Sequence, residues 1–187
     1  AFPAWSKTPD EQRKQLLHQV AGAIEANMPE LMELVTRETG KPMGGLNGIG
    51  SGMEVGGSAA WTHYTAELQL PVDVIQDNEV ARIEVHRKPL GVVASITPWN
   101  WPLLIAIWQI IPSIRAGNTV VIKPSEYTTL GTLELVRLIA EVLPKGVVNT
   151  VSGPGEVGSW LVGDPGIDKI MFTGSGRTGA KVAEAAA

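Results

Sequence analysis

The sequence contains no cysteine. A disulfide, a thiolate metal site and a cysteine nucleophile are therefore excluded within these 187 residues, and the redox compartment cannot be read from them. Basic charge is not in excess either: 15 Lys and Arg stand against 19 Asp and Glu, a net charge of −4. With no basic cluster, neither nucleic acid nor an anionic membrane surface is an expected partner. The three histidines, His18, His63 and His86, show no metal-ligand spacing, and His18 reads as a surface or packing residue. Ala1 to Ser6 lack the charged and apolar regions of a signal peptide. The uncharged run from Pro89 to Ile114 is interrupted by Pro98, Asn100, Pro102, Gln109 and Pro112. Its continuous apolar part falls short of the ~20 residues a membrane span requires. The expectation is a cytoplasmic protein with no membrane segment.

What is present suits a globular α/β chain, with 44% hydrophobic and 18% charged residues. Thr8-Pro9-Asp10-Glu11 carries the marks of a helix start, with Thr as cap and Pro at the first position. Leu16, Leu17, Val20 and Ile24 follow on one face, and a second helix runs from about Pro29 to Gly40 with Leu31, Leu34 and Val35 inward. Residues 44 to 57 hold seven glycines, each costing about 1 kcal/mol in a helix, so propensity predicts a loop there. Ala59 to Leu68 is again helical. From Pro71 to Arg87 the period changes to two, with Val72, Val74, Ile83 and Val85 alternating around the turn cluster 76–79. This is a β-hairpin, marginal alone, that should rest on another sheet of this subunit or of a partner.

Beyond it a unit repeats. Strands start near Gly91, Thr119, Val147 and Asp168, and helices follow at about 102–116, 129–142, 155–163 and 176–186. On the second of these helices Leu133, Val136, Ala140 and Leu143 form the expected core stripe. Four strand–helix units imply right-handed crossovers, hence a doubly wound, mostly parallel sheet of variant Rossmann type. Three segments are expected: a helical part at 1–68, the hairpin at 69–88 and a nucleotide-binding part at 89–187.

Polar residues in the first two units concentrate where strands end: Thr97 and Asn100 after the first, Lys123, Ser125 and Glu126 after the second. In a parallel sheet both places lie at the carboxyl edge, where ligands bind. Two segments match G-x-G-x-x-G, at 153–158 and 174–179, and each follows a strand and opens a helix. They lie on the third and fourth strands rather than the first, and no acidic residue follows about twenty positions on as the usual fingerprint requires. A phosphate site and glycines needed only for tight turns both remain open.

The segments Ile96-Thr-Pro-Trp-Asn-Trp-Pro102, Val121-Ile-Lys-Pro-Ser-Glu126 and Phe172-Thr-Gly-Ser175 resemble the aldehyde dehydrogenase superfamily in order and separation. Phe2-Pro-Ala-Trp-Ser6, Glu38-Thr-Gly-Lys-Pro42, Pro89-Leu-Gly-Val92 and Gly146-Val-Val-Asn149 resemble it too, so the likeness covers nearly the whole chain. The resemblance implies that Lys123 and Glu126, with Ser125 between them, bind the adenosine ribose hydroxyls. A carboxylate there repels a 2′-phosphate, which favours NAD over NADP; a plain surface Lys–Glu pair is the alternative. It further implies that Phe172, Thr173, Gly174 and Ser175 form the pyrophosphate segment, that Gly155 and Gly158 let the adenine-side helix approach, and that Ile96, Thr97, Pro98 and Trp99 line the cleft.

By the same resemblance, Asn100 donates its amide to the aldehyde oxygen as it becomes an oxyanion, although a helix-capping role is equally open. Trp101, Leu104, Ile105 and Trp108 are then the walls of a tunnel for an uncharged aldehyde, or else plain core. The family's cysteine and general-base glutamate lie downstream of the Phe-Thr-Gly-Ser helix. The expectation is therefore the amino-terminal, cofactor-binding portion of a longer homo-oligomeric enzyme, inactive alone, with the hairpin bridging subunits. A coenzyme A-acylating relative and a non-catalytic binding module are the competing readings.

Overall fold

The computed structural model describes residues 1–187, the side chain of Leu46 excepted. Four parallel strands, β3 (Val92–Ile96), β4 (Thr119–Lys123), β5 (Val148–Thr150) and β6 (Lys169–Phe172), form one sheet in the order β5-β4-β3-β6. Helices α5 (Pro102–Arg115), α6 (Leu130–Val142), α7 (Gly155–Val162) and α8 (Gly176–Ala185) follow them in turn. The chain steps from β3 to β4 to β5 in one direction, then crosses back to β6. Right-handed crossovers put α5 and α6 on one face of the sheet and α7 on the other, and α7 packs on β3 and on α8. Neighbouring strands β3 and β6 therefore send their helices to opposite faces. Their carboxyl ends flank a topological switch point.

Behind α5 and α6 pack α2 (Asp10–Ala26), α3 (Met28–Thr39) and α4 (Ser51–Glu67), preceded by the single turn α1 (Phe2–Trp5). The core lies between these layers: Leu17, Ile24, Leu31, Leu103, Ile107, Ile111, Ile122 and Ile139 are fully buried within it. At 14 residues, α5 rises only ~21 Å, short of the ~30 Å of a bilayer core. No helix among the described residues is long and apolar enough to cross a membrane.

Three local readings need correction. Thr8 does not cap α2: Pro9 holds the cap position, and the Thr8 carbonyl instead accepts from the Arg13 guanidinium. The glycine-rich stretch is a loop only to Gly50, because α4 begins at Ser51 and runs through Gly52, Gly56 and Gly57. Here packing overrides propensity: a Cβ on Gly56 would meet Met28 Cε at 3.2 Å, and one on Gly57 would meet Leu104 Cδ1 at 3.5 Å. Bare backbone lets α4 sit close against its neighbours. On α6, Leu133 and Ala140 face outward, while Leu135, Val136, Leu138 and Ile139 are buried. Leucines surround that helix, so periodicity alone admits several faces; Arg137 paired with Glu134 and Glu141 marks the outer one.

The hairpin forms as β1 (Asp73–Asp77) and β2 (Arg82–Val85), antiparallel, with a register irregularity between Val74 and Gln76. Among the described residues it pairs with no other strand, and Val72, Val74, Ile83 and Val85 are about half exposed.

Candidate functional site

Strand register builds the floor of the site. Ile96 pairs with Lys123 on one side and with Phe172 on the other. Three strands therefore end at one level, with neighbours about 4.8 Å apart. The three side chains share one pleat face, and it is the face α7 covers: a Cβ on Gly158 would lie 3.4 Å from Lys123 Cδ and 4.0 Å from Ile96 Cδ1. Alternate residues point the other way, where Ser95 Oγ donates to Gln109 Oε1 at 2.6 Å.

Above this floor opens a cleft of about 920 Å³, within the size range of cofactor sites. Ile96, Thr97, Pro98, Trp99 and Asn100 line it from the β3 end, and Lys123, Ser125 and Glu126 from the β4 end. Gly155 and Gly158 come from α7, and Phe172, Thr173, Gly174 and Ser175 from the β6 end. All thirteen cofactor residues expected from the sequence thus meet in one cavity with Asn100. Of the four tunnel candidates only Ile105 lines it. Trp101, Leu104 and Trp108 belong to the side of α5 that meets α4 and the segment before it. The Trp101 ring lies 3.9 Å beneath the Lys41 ammonium, Leu104 abuts Gly57, and the Trp108 and Trp61 rings are 5.9 Å apart.

The four helix starts at this edge are not equivalent. At α5, Glu54 Oε1 accepts from the amides of Leu103 at 2.8 Å and Leu104 at 3.3 Å. At α6, the Glu38 carboxylate accepts from the amides of Leu130 and Gly131. Both positive helix ends are thus answered by the chain's own carboxylates. At α8, Ser175 Oγ accepts from Thr178 N at 3.2 Å, and α7 has no side-chain cap among the described residues. Among the described residues only α7 and α8 are free of a protein anion bonded to their first-turn amides, and both open onto the cleft. Free helix starts of this kind suit an anionic group.

Other features fit a dinucleotide. Lys123 is 6% exposed, and its ammonium donates to the Pro124 carbonyl at 2.9 Å, with no carboxylate at ion-pair distance among the described residues. Burial lowers its pKa, and the charge of Glu126 opposes that only in part. A buried cation with spare donors suits ribose hydroxyls. Thr97 Oγ1 is buried without a hydrogen-bond partner among the described residues, and such a group invites a ligand. Gly174 crosses the Phe172 ring so closely that a Cβ would lie 2.5 Å from Cζ; any larger residue would displace the ring or the loop.

Several lining residues were not legible in the sequence: Tyr127, Glu156, Ser159, Thr178, Lys181 and Val182. Those on α7 and α8 follow once the cleft is known to lie between those helices. Glu38, Lys41 and Glu54 lie outside the cleft and carry no motif signal of their own beyond the Glu38–Pro42 segment. Glu54 announces itself only as a carboxylate inside a small-residue helix.

The sequence and the fold both have relatives among known proteins. The model of the aldehyde dehydrogenase family matches residues 1–187. Phenylacetaldehyde dehydrogenase of Pseudomonas fluorescens is 41% identical, over 97% of this chain and 38% of its own. The crystal structure of PnpE from Pseudomonas sp. WBC-3 superposes with a TM-score of 0.92 at 42% identity, covering 100% of this chain and 38% of that one. PnpE has also been solved with nicotinamide adenine dinucleotide. The glyceraldehyde-3-phosphate dehydrogenase GapN of Methanocaldococcus jannaschii, complexed with NADP, superposes with a TM-score of 0.91 at 29% identity, over 98% of this chain and 41% of that one. The chain spans 39% or 38% of the length of the curated relatives it matches.

Proposed function

The chain belongs to the aldehyde dehydrogenase family, and from that premise we propose that it is the cofactor-binding part of an enzyme that oxidises an aldehyde to a carboxylic acid, with NAD preferred to NADP. The observation that carries this reading is the meeting of Asn100 with the expected dinucleotide residues on one cleft. Lys123 and Glu126 hold the adenosine ribose, the Lys123 ammonium donating and the Glu126 carboxylate accepting. Glu126 also repels a 2′-phosphate, which sets the preference for NAD. The amides around Gly174 and Ser175, at the start of α8, take the pyrophosphate, and Gly155 and Gly158 leave room on the α7 side.

Asn100 is exposed and its side chain has no hydrogen-bond partner among the described residues. It donates to the substrate oxygen as negative charge develops there, and removal of one such donor typically costs ~2.7–4 kcal/mol. Bound nicotinamide supplies hydride acceptance. The attacking thiolate comes from outside residues 1–187, since the chain holds no cysteine, and the family resemblance puts the base that activates water there too. The aldehyde reaches Asn100 along the α4–α5 side, past the exposed face of Trp108, while Leu104 packs behind it as core and Lys41 covers the Trp101 ring. The hairpin of residues 69–88 bridges subunits of a homo-oligomer.

The test is turnover by the full-length enzyme. Addition of an uncharged aldehyde with NAD should yield reduced nicotinamide and the free acid, faster than with NADP. Asn100→Ala should lower kcat about 10²–10³-fold, and Glu126→Ala should narrow the preference for NAD. A thioester of coenzyme A as product, or no turnover with any aldehyde, would replace this reading by an acylating relative or by a binding module.

A further inference from the structure

Lys41 and Glu54 form an ion pair at 2.5 Å, in which the Glu54 side chain is fully buried and that of Lys41 nearly so. Neither lines the cleft, and the reaction has no step for them. A buried ion pair is no stability device as such: its desolvation offsets much of its attraction, and apolar residues of equal volume often do as well. Its use here must lie in what it holds.

The pair grips the segment on the carboxyl side of Asn100 at several points. Lys41 Nζ donates to the Asn100 carbonyl at 2.7 Å and lies over the Trp101 ring. Pro102, at the first helical position, has no amide to offer. The next two amides, Leu103 and Leu104, both donate to Glu54 Oε1. On the amino side, Thr97 N donates to the Lys123 carbonyl at 3.3 Å, and Thr173 N donates to the Ile96 carbonyl at 3.1 Å. Asn100 therefore sits on a short turn tied at both ends, while its own side-chain amide is left free. That is the arrangement of a preorganised donor, whose dipole must not rearrange as charge develops.

The geometry points to Lys41 and Glu54 as positioning residues for Asn100: they fix its peptide so that the free amide meets the substrate oxygen, without touching substrate or cofactor. This rests on the oxyanion role assigned above to Asn100. The two residues are 13 positions apart, on the loop after α3 and on α4. The helical layer behind the sheet thus reaches through to the chemistry.

The experiment uses the full-length enzyme with Lys41→Met, Glu54→Gln, Asn100→Ala and the two double variants. Lys41→Met should lower kcat about 10–100-fold, as expected for a reacting group displaced by an ångström, with NAD affinity changed less than about twofold. In the Asn100→Ala background the same substitution should cost less than about threefold, because the group it positions is already gone. Glu54→Gln keeps an oxygen for the Leu103 amide but gives up the ion pair. It should reproduce the pattern, and it decides the matter if Lys41→Met does not fold. Losses that multiply with Asn100→Ala, or full kcat in a folded Lys41 or Glu54 variant, overturn the inference alone. An Asn100→Ala enzyme with undiminished kcat overturns the oxyanion role and the inference with it.

Discussion

The two halves of the sheet's carboxyl edge are built on opposite principles. At β3 and β4 the following helices are sunk in the core: α5 has twelve buried residues, and both helix starts are closed by carboxylates from the helical layer behind. At β5 and β6 the helices are thin cover: α7 buries Gly158 and Val162, and α8 buries nothing. The first half is rigid because α5 is sunk in the core and both helix starts are tied to carboxylates of the chain itself. The second offers helix starts, glycine loops and an apolar groove that only a ligand or further protein can fill.

The sharpest way to break that contrast is to weaken the rigid wall. Ile107 is fully buried on α5, among the large side chains of the core. Ile107→Ala should destabilise the fold by about 2–5 kcal/mol, the range for a large aliphatic truncation in a packed core, as read from a denaturant midpoint. A loss under about 1 kcal/mol would mean that α5 is not the rigid element described here.

Lys123 stands at the boundary between the two walls and should show opposite effects on stability and binding. Its folded-state pKa lies below the ordinary lysine value because burial disfavours the ammonium. The unfolded chain then binds the proton more tightly. Stability is reduced at neutral pH and recovers as pH rises from the folded pKa through the unfolded one. Lys123→Met should remove that penalty and flatten the rise on the alkaline side. The same variant should bind NAD more weakly by about 1.5–3 kcal/mol, the worth of hydrogen bonds to a charged group, in a calorimetric titration of the full-length enzyme. A Lys123→Met protein that is less stable near neutral pH and unchanged toward NAD would assign the lysine to packing.

The same contrast explains what the sequence disclosed. Strand–helix alternation and the clustering of Thr97, Asn100, Lys123 and Ser175 at strand ends are local patterns, so the sheet, its four helices and the cleft were legible. The helical nature of residues 51–57 was not, since glycine propensity is a local signal and the close contacts of Gly56 with Met28 and Gly57 with Leu104 are not. Nor were the contacts of Glu38, Lys41 and Glu54. Their partners are 49 to 93 positions away, except for the Lys41–Glu54 pair itself. No period or motif encodes such a separation. Trp101, Leu104, Ile105 and Trp108 were read together, as tunnel walls or as plain core; the first, second and fourth lie on the α4 side and Ile105 on the cleft side. A helix shows both faces to the sequence at once, and only the layer against it tells them apart.

The smallest expected effect belongs to the open wall, and it makes the contrast quantitative. Val182, on α8, is half-buried at the cleft's edge, against the fully buried Ile107 of α5. Val182→Ala should change the stability of the ligand-free protein by no more than about 0.5 kcal/mol, as for a side chain with few packed neighbours. With saturating NAD the same substitution should cost more. Ligand that binds only the folded state adds its own linkage to stability, and the lost methyl groups then leave a gap against the dinucleotide instead of facing solvent. The decisive measurement is the difference between two denaturation midpoints, wild type and variant, taken with and without NAD. If the gap widens on adding NAD, α8 acts as a ligand-completed wall. If the two gaps are equal, α8 is finished without the ligand, and the division of the edge into a rigid half and a half completed by what it binds does not hold.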